Sequence, residues 1–263
     1  MKLAVREGML PGASLEEKLR SARRLGYEGV ELHSPEALAR PRDELVRLFR
    51  ESGVEAANVA GVVTLLDPDP KARGEGVETL AHRLELAAAL GATGVLVVPI
   101  FGRALIPDLS PYREAIELER ELLIAELGQV AALAAASGSQ VFLEPLNRYE
   151  THFLNRLEQG VEICRAVGSP RIRIMADFFH MHIEEADIPE SLRAAGDYVV
   201  YVHVADSNRM QPGRGHLDLR PGFAALKEIG YDGYLGVECG LIGPIEAALA
   251  EAAENVRRAW SAA

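Results

Sequence analysis

VFLEPLNRYE (Val141 to Glu150) opens as a run of apolar residues, reaches a carboxylate at Glu144, and breaks at once into Pro145 and a polar turn. A short apolar run bounded by turn formers reads as a buried strand, and a charged residue at its far end reads as something the strand delivers to a surface. The same design recurs downstream in IRIMADFFHMH (Ile172 to His182), VVYVHVADSNR (Val199 to Arg209) and YLGVECG (Tyr234 to Gly240). Upstream, Leu3 to Arg6, Gly29 to His33, Glu55 to Gly61 and Gly94 to Ile100 are apolar runs of the same kind, which with Val141 to Leu146, Ile172 to Asp177, Val199 to Ala205 and Tyr234 to Glu238 makes eight.

Each run is followed by a segment with apolar residues three and four apart, the spacing of an amphipathic helix. Ser14 and Glu17 form a capping box before the first such segment, and Gly26, Gly53, Gly91 and Gly168 stand where helices should stop. Eight strand–helix units over 263 residues predict a single (β/α)8 TIM barrel spanning residues 1–263. An open doubly wound sheet would want a GxGxxG turn after its first strand, and the sequence has none there. Leu66 to Lys71 and Gly102 to Pro111 read as long loops after strands, on the rim where barrels place their chemistry.

Composition narrows the partners. With 48% hydrophobic and 25% charged residues the chain can build a sizeable core, and its net charge of −11 argues against a nucleic-acid partner, which would meet a basic face. No run approaches the roughly 20 apolar residues of a membrane helix, and the first residues, MKLAVREG, lack a secretory core, so no membrane partner and a cytoplasmic address are expected. Two cysteines, Cys164 and Cys239, are too few for a disulfide framework or a thiolate cage.

The C-terminal ends of barrel strands converge on one face. Glu144, Asp177, His203 and Glu238 end four consecutive strands and can therefore share one ion. A lone carboxylate at a strand end is often a helix cap or half of an ion pair. Four metal-capable residues at equivalent positions are harder to explain so, because burying ionisable groups is costly unless they are paired or bound. Three carboxylates and an imidazole favour Mn²⁺ or Mg²⁺, with Co²⁺ as a further candidate. Glu144 and Glu238 are also the natural acid/base pair, one on each flank of a substrate, and His180 is placed to hydrogen-bond a substrate oxygen.

These runs, Glu144-Pro-Leu-Asn-Arg-Tyr-Glu150, Asp177-Phe-Phe-His180-Met, His203-Val-Ala-Asp-Ser-Asn-Arg209 and Val237-Glu238, resemble the ketose 3-epimerases of the D-tagatose and D-psicose type, within the xylose-isomerase-like barrels. The resemblance implies that Glu144, Asp177, His203 and Glu238 bind Mn²⁺ or a similar ion. It implies Glu144 and Glu238 as the catalytic pair, with Glu150, His180 and Arg209 on substrate hydroxyls. One glutamate would take the C3 proton of a ketose and the other reprotonate the cis-enediolate from the opposite face. It also implies a small sugar substrate and a homodimer or homotetramer. Related barrels isomerise hydroxypyruvate, or isomerise or dehydrate inososes, or act as abasic-site endonucleases; the last would need more ligands and a basic groove.

Other residues carry weaker expectations. Ser207 to Asp218 could grip a sugar phosphate through Arg209, Arg214 and the Gly213 and Gly215 backbone, or serve as a lid with His216 ordering it. His33, Glu7 and Asn58 face the rim by position, Phe101, Phe178 and Phe179 are pocket or core, and His82, His152 and His182 read as helix or loop residues. Cys239 should point away from Glu238 and pack against a helix.

Overall fold

A computed structural model describes all 263 residues. Eight parallel strands, β1 (Lys2–Arg6), β2 (Gly29–Leu32), β3 (Glu55–Ala60), β4 (Val95–Val97), β5 (Val141–Leu143), β6 (Ile172–Asp177), β7 (Val199–Val204) and β8 (Tyr234–Val237), pair in chain order. β8 returns to pair with β1, from Lys2 against Tyr234 to Val5 against Val237. That closure excludes the open sheet.

The helices α1 (Leu15–Arg24), α2 (Pro35–Leu38), α3 (Arg42–Ser52), α4 (Pro70–Leu90), α5 (Ala115–Ser137), α6 (Leu157–Val167), α7 (Phe178–Glu184), α8 (Ile188–Ala195), α9 (Arg220–Glu228) and α10 (Ile245–Ala262) fill the connections. Gly53, Gly91 and Gly168 end α3, α4 and α6 in the left-handed conformation that only glycine adopts without steric cost, while Gly26 takes it one residue after the cap Leu25. The Ser14 side chain accepts from the Glu17 amide as expected, but the Glu17 carboxylate reaches back to the Ala13 amide at 2.7 Å instead of the Ser14 amide. The expected loop Leu66 to Lys71 is shorter than its composition suggests, because Asp69 caps α4 and Pro70 begins it.

Two layers of apolar packing hold the barrel. A large cluster lies between strands and helices, and a smaller one, including Ala4, Leu96, Phe142, Met175, Tyr201 and Tyr234, fills the inside. Because side chains along a strand alternate between faces, the residue two places beyond each inner one also faces inward, at the mouth. Phe142 thus leads to Glu144, Met175 to Asp177, Tyr201 to His203, and Ala4 to Arg6. The strand period therefore turns four polar groups inward at the mouth, above an apolar floor.

On the inner face of α9, Phe223 is fully buried, with its ring 5.5 Å from those of both Phe178 and Trp260. Phe223→Ala should lower unfolding free energy by about 3–5 kcal/mol in denaturant titration, the usual cost of deleting a buried aromatic ring. A loss under about 1 kcal/mol would show that this seam does not hold α9 to the barrel.

Candidate active site

Glu144, Asp177, His203 and Glu238 offer one ligand atom each, all within 4.8 Å of one another. Asp177 and His203 are paired in register on β6 and β7, while Glu144 and Glu238 lie one residue beyond β5 and β8. His203 Nδ1 sits 3.3 Å from Glu238 Oε2, 3.5 Å from Glu144 Oε1 and 3.6 Å from Asp177 Oδ2. Neither His203 Nδ1 nor Glu144 Oε1 has a hydrogen-bond partner, although both are buried. Leaving such groups unpaired costs free energy, and the two face the same point. Three carboxylate oxygens and one imidazole nitrogen around that point fit a hard divalent cation.

The charges within the cluster act on one another at short range. Burial pushes the Glu144 carboxyl above its ordinary value, and the Glu238 and Asp177 charges add to this against the pull of His203. Burial would raise Asp177 too, but Arg209, His180 and His203 hold it well below the usual carboxylate range. For His203, burial opposes the charged form, yet Glu31, Glu238, Asp177 and Glu144 raise it well above its ordinary value.

Around the cluster lies a cavity of about 510 Å³, lined by Glu144 and Glu238 and also by Glu150, His180 and Arg209. His180 is buried, and its Nδ1 receives the Asn147 backbone amide at 3.2 Å and Asn147 Nδ2 at 2.7 Å. A backbone N–H can only donate, so Nδ1 is the unprotonated nitrogen and Nε2 carries its hydrogen toward Glu144 and Asp177, which lie 4.0 and 3.9 Å away. Asn147 also holds Glu150 Oε1 at 2.9 Å, so one side chain orients two cavity residues.

Arg209, expected on substrate hydroxyls, lines the cavity with its guanidinium already engaged: it bridges Asp177 Oδ2, at 2.6 Å, and Glu238 Oε2, and lies over the Phe179 ring. It sits in the left-handed region at φ 61°, a costly conformation for a non-glycine residue, imposed by the turn in which its amide bonds the Asp206 carbonyl. Arg6, at the end of β1, grips the other oxygen of Glu238.

Sequence reasoning missed Arg6, Asn147 and, above all, Glu31. Glu31 lies on β2, fully buried, 2.7 Å from the Tyr201 hydroxyl and 3.0 Å from His203 Nε2. A charged residue inside an otherwise apolar strand was the available signal.

The weaker candidates separate. His33 lines the cavity, with Nε2 3.2 Å from Asn58 Oδ1 beneath it. Glu7 is buried away from the cavity and accepts from the His33 and Ser34 amides and the Ser34 hydroxyl. Phe101 lines the cavity while Phe178 belongs to the core. Cys239 lines the cavity rather than packing solely against a helix, because β8 ends at Val237 and the alternation ends with it. Burial raises its thiol to about 12. His216 orders its loop by meeting Ser207 Oγ at 3.0 Å. Of the groups expected to grip a phosphate, Arg214 pairs with Glu251 at 2.9 Å and the Gly213 amide donates to Asp206, as do the Ser207 and Leu217 amides beside them.

A closed barrel with an acidic cluster and one imidazole at its mouth defines a class, that of (β/α)8 enzymes whose chemistry sits at the strand ends. The chain belongs to the xylose isomerase-like TIM barrel family, matching it over residues 19–259. It is 29% identical over 243 residues to the 3-dehydro-D-guloside 4-epimerase of Escherichia coli, covering 90% of this chain and 92% of that protein. It is 30% identical over 229 residues to an L-ribulose 3-epimerase of Mesorhizobium japonicum, covering 86% and 75%. The crystal structure of the E. coli 3-keto-D-glucoside 4-epimerase superposes with a TM-score of 0.88 at 27% identity, over 98% of this chain and 99% of that one.

Proposed function

We propose that the protein is a metal-dependent sugar epimerase that inverts a carbon next to a ketone, with Glu144 and Glu238 as its two acid/base groups. The observation that carries this reading is the pair of unpartnered buried ligand atoms, Glu144 Oε1 and His203 Nδ1, turned toward Asp177 and Glu238. Glu144, Asp177, His203 and Glu238 would hold the cation, Mn²⁺ first, with Mg²⁺ and Co²⁺ as alternatives. When bound, that ion supplies a Lewis acid which polarises the ketone and acidifies the adjacent C–H.

The chain's own groups supply the rest. One of Glu144 and Glu238, as the carboxylate, takes the proton and keeps it, and the other, as the acid, gives its own proton to the opposite face of the planar enediolate carbon, which inverts the centre. His180 presents Nε2–H to a substrate oxygen, and Glu150 accepts from a hydroxyl. Arg209, held over Phe179, keeps its positive charge beside Glu238 and Asp177 while its remaining N–H groups can reach substrate hydroxyls.

The same chemistry serves a ketose inverted at C3 and a 3-keto glycoside inverted at C4, since each reacting carbon adjoins the ketone. The second substrate is favoured by the near full-length match to the 3-dehydro-D-guloside 4-epimerase and by the cavity rim of Met9, Val62, Val63 and Phe101, which leaves an apolar surface for a group beyond the sugar ring. Incubation with Mn²⁺ and a panel of ketopentoses, ketohexoses and 3-keto glycosides, followed by NMR, tests this. Inversion next to the ketone of at least one panel member is expected. Dehydration, aldose formation, or no reaction with any member would reject epimerisation.

A further inference from the structure

We propose that Glu31 is a positioning residue for His203: it holds the imidazole so that the Nδ1 lone pair, and not an N–H, faces the other three ligands. The inference rests on the reading that Glu144, Asp177, His203 and Glu238 hold a cation.

An imidazole can offer either ring nitrogen, and the partner of one nitrogen decides the role of the other. His203 Nε2 lies 3.0 Å from Glu31 Oε1, while Nδ1 faces Glu144, Asp177 and Glu238 without a hydrogen bond. An ionised carboxylate only accepts, so Nε2 carries a hydrogen and keeps it. Nδ1 is then the nitrogen open to a cation, which takes the place of any proton held there.

Three further features are built around this contact. The Tyr201 hydroxyl donates to the same Glu31 oxygen at 2.7 Å, and the Tyr201 ring is itself fixed, stacked on Phe142 with centroids 5.4 Å apart and edge-on to His203 at 5.6 Å. On β8, position 236 is glycine. A Cβ there would overlap Glu31 Oε1 and come within 3.0 Å of His203 Cδ2 and the Tyr201 hydroxyl, so the missing side chain makes the room in which the three groups meet. Finally, Glu31 Oε2 has no hydrogen-bond partner. A fully buried carboxylate with one oxygen unpaired is a poor device for stability, and an apolar residue would serve that end better. Its presence is explained by what the paired oxygen does to His203.

The test is calorimetric titration of Mn²⁺ into the metal-free protein and its Glu31→Gln variant, beside the melting temperature of each metal-free form. Glutamine can turn an N–H toward Nε2 and let the hydrogen move to Nδ1. Mn²⁺ affinity should therefore fall about 10–100-fold, the usual effect of removing the partner of a ligating histidine. A lowered melting temperature with unchanged Mn²⁺ affinity would overturn the proposal and leave Glu31 a structural residue. If Glu31→Gln does not fold, Tyr201→Phe takes its place: a several-fold loss of affinity is expected, and none would overturn the proposal. Should the unaltered protein fail to bind Mn²⁺, the metal reading falls and this inference with it; if it binds and the variant binds as tightly, only this inference falls.

Discussion

Glu144→Gln and Glu238→Gln should each lower epimerisation by about 10²–10⁴-fold, the usual contribution of a positioned acid or base. A more specific outcome concerns exchange of the substrate hydrogen with solvent. With one group on each face, a variant lacking one of them can still take the proton from the epimer presented to the other. In D₂O, Glu144→Gln should exchange label into one epimer without inverting it, and Glu238→Gln into the opposite epimer. Proton NMR follows both reactions directly. Equal exchange into both epimers by a single variant would mean that one group works both faces, and full activity in both variants would remove the glutamates from the reaction. Glutamine keeps a carbonyl oxygen for a cation, so metal affinity measured alongside separates lost proton transfer from lost binding.

The second large effect is expected on stability. Anything that binds only the folded chain stabilises it by mass action, about 2.7 kcal/mol at a hundredfold excess over the dissociation constant. For a domain of this size that is roughly 5–10 °C in melting temperature. Mn²⁺ should therefore raise the melting temperature of protein stripped with a chelator. His203→Asn and Asp177→Asn should each abolish most of the rise. Both residues are buried, Asp177 at 1% and His203 at 0% exposure, so their metal-free variants also report what the cluster costs the fold. A Mn²⁺-dependent rise that survives in both variants would place the ion elsewhere.

The strand order was legible because strands buried on both faces announce themselves as continuous apolar runs. Their ends were less so. Gly94 to Ile100 reads as one strand, yet β4 pairs only from Val95 to Val97; Val98 and Ile100 remain buried at the barrel mouth, so hydrophobicity continues after the ladder has stopped. Glu144 was expected inside strand five for the same reason and lies just past it. The four-residue cluster was readable because each member ends an apolar run.

Glu31 and Arg6 went unremarked because their partners are distant in sequence: Tyr201 is 170 residues from Glu31, and Glu238 is 232 from Arg6. No local pattern encodes such a pairing; only the closed barrel creates it. The inward turn of Arg209 depends on a left-handed backbone that the run Ser207-Asn-Arg209 does not announce, since the position is not glycine. Beyond His33, which faces the rim by position, the N-terminal half offered no motif for the cavity, and there the structure places Ala60, Gly61, Val62 and Val63 along its wall. These residues are mostly small or apolar, and shape selection by such groups leaves little trace in a sequence.

Crystals of the protein soaked in Mn²⁺ and measured at a wavelength where manganese scatters anomalously give the most direct test of a shared ion. A single strong anomalous peak is predicted among Glu144, Asp177, His203 and Glu238, with His203 Nδ1 and a carboxylate oxygen from each acid at bonding distance. A map with no peak there, or with its peak against other side chains, would contradict it.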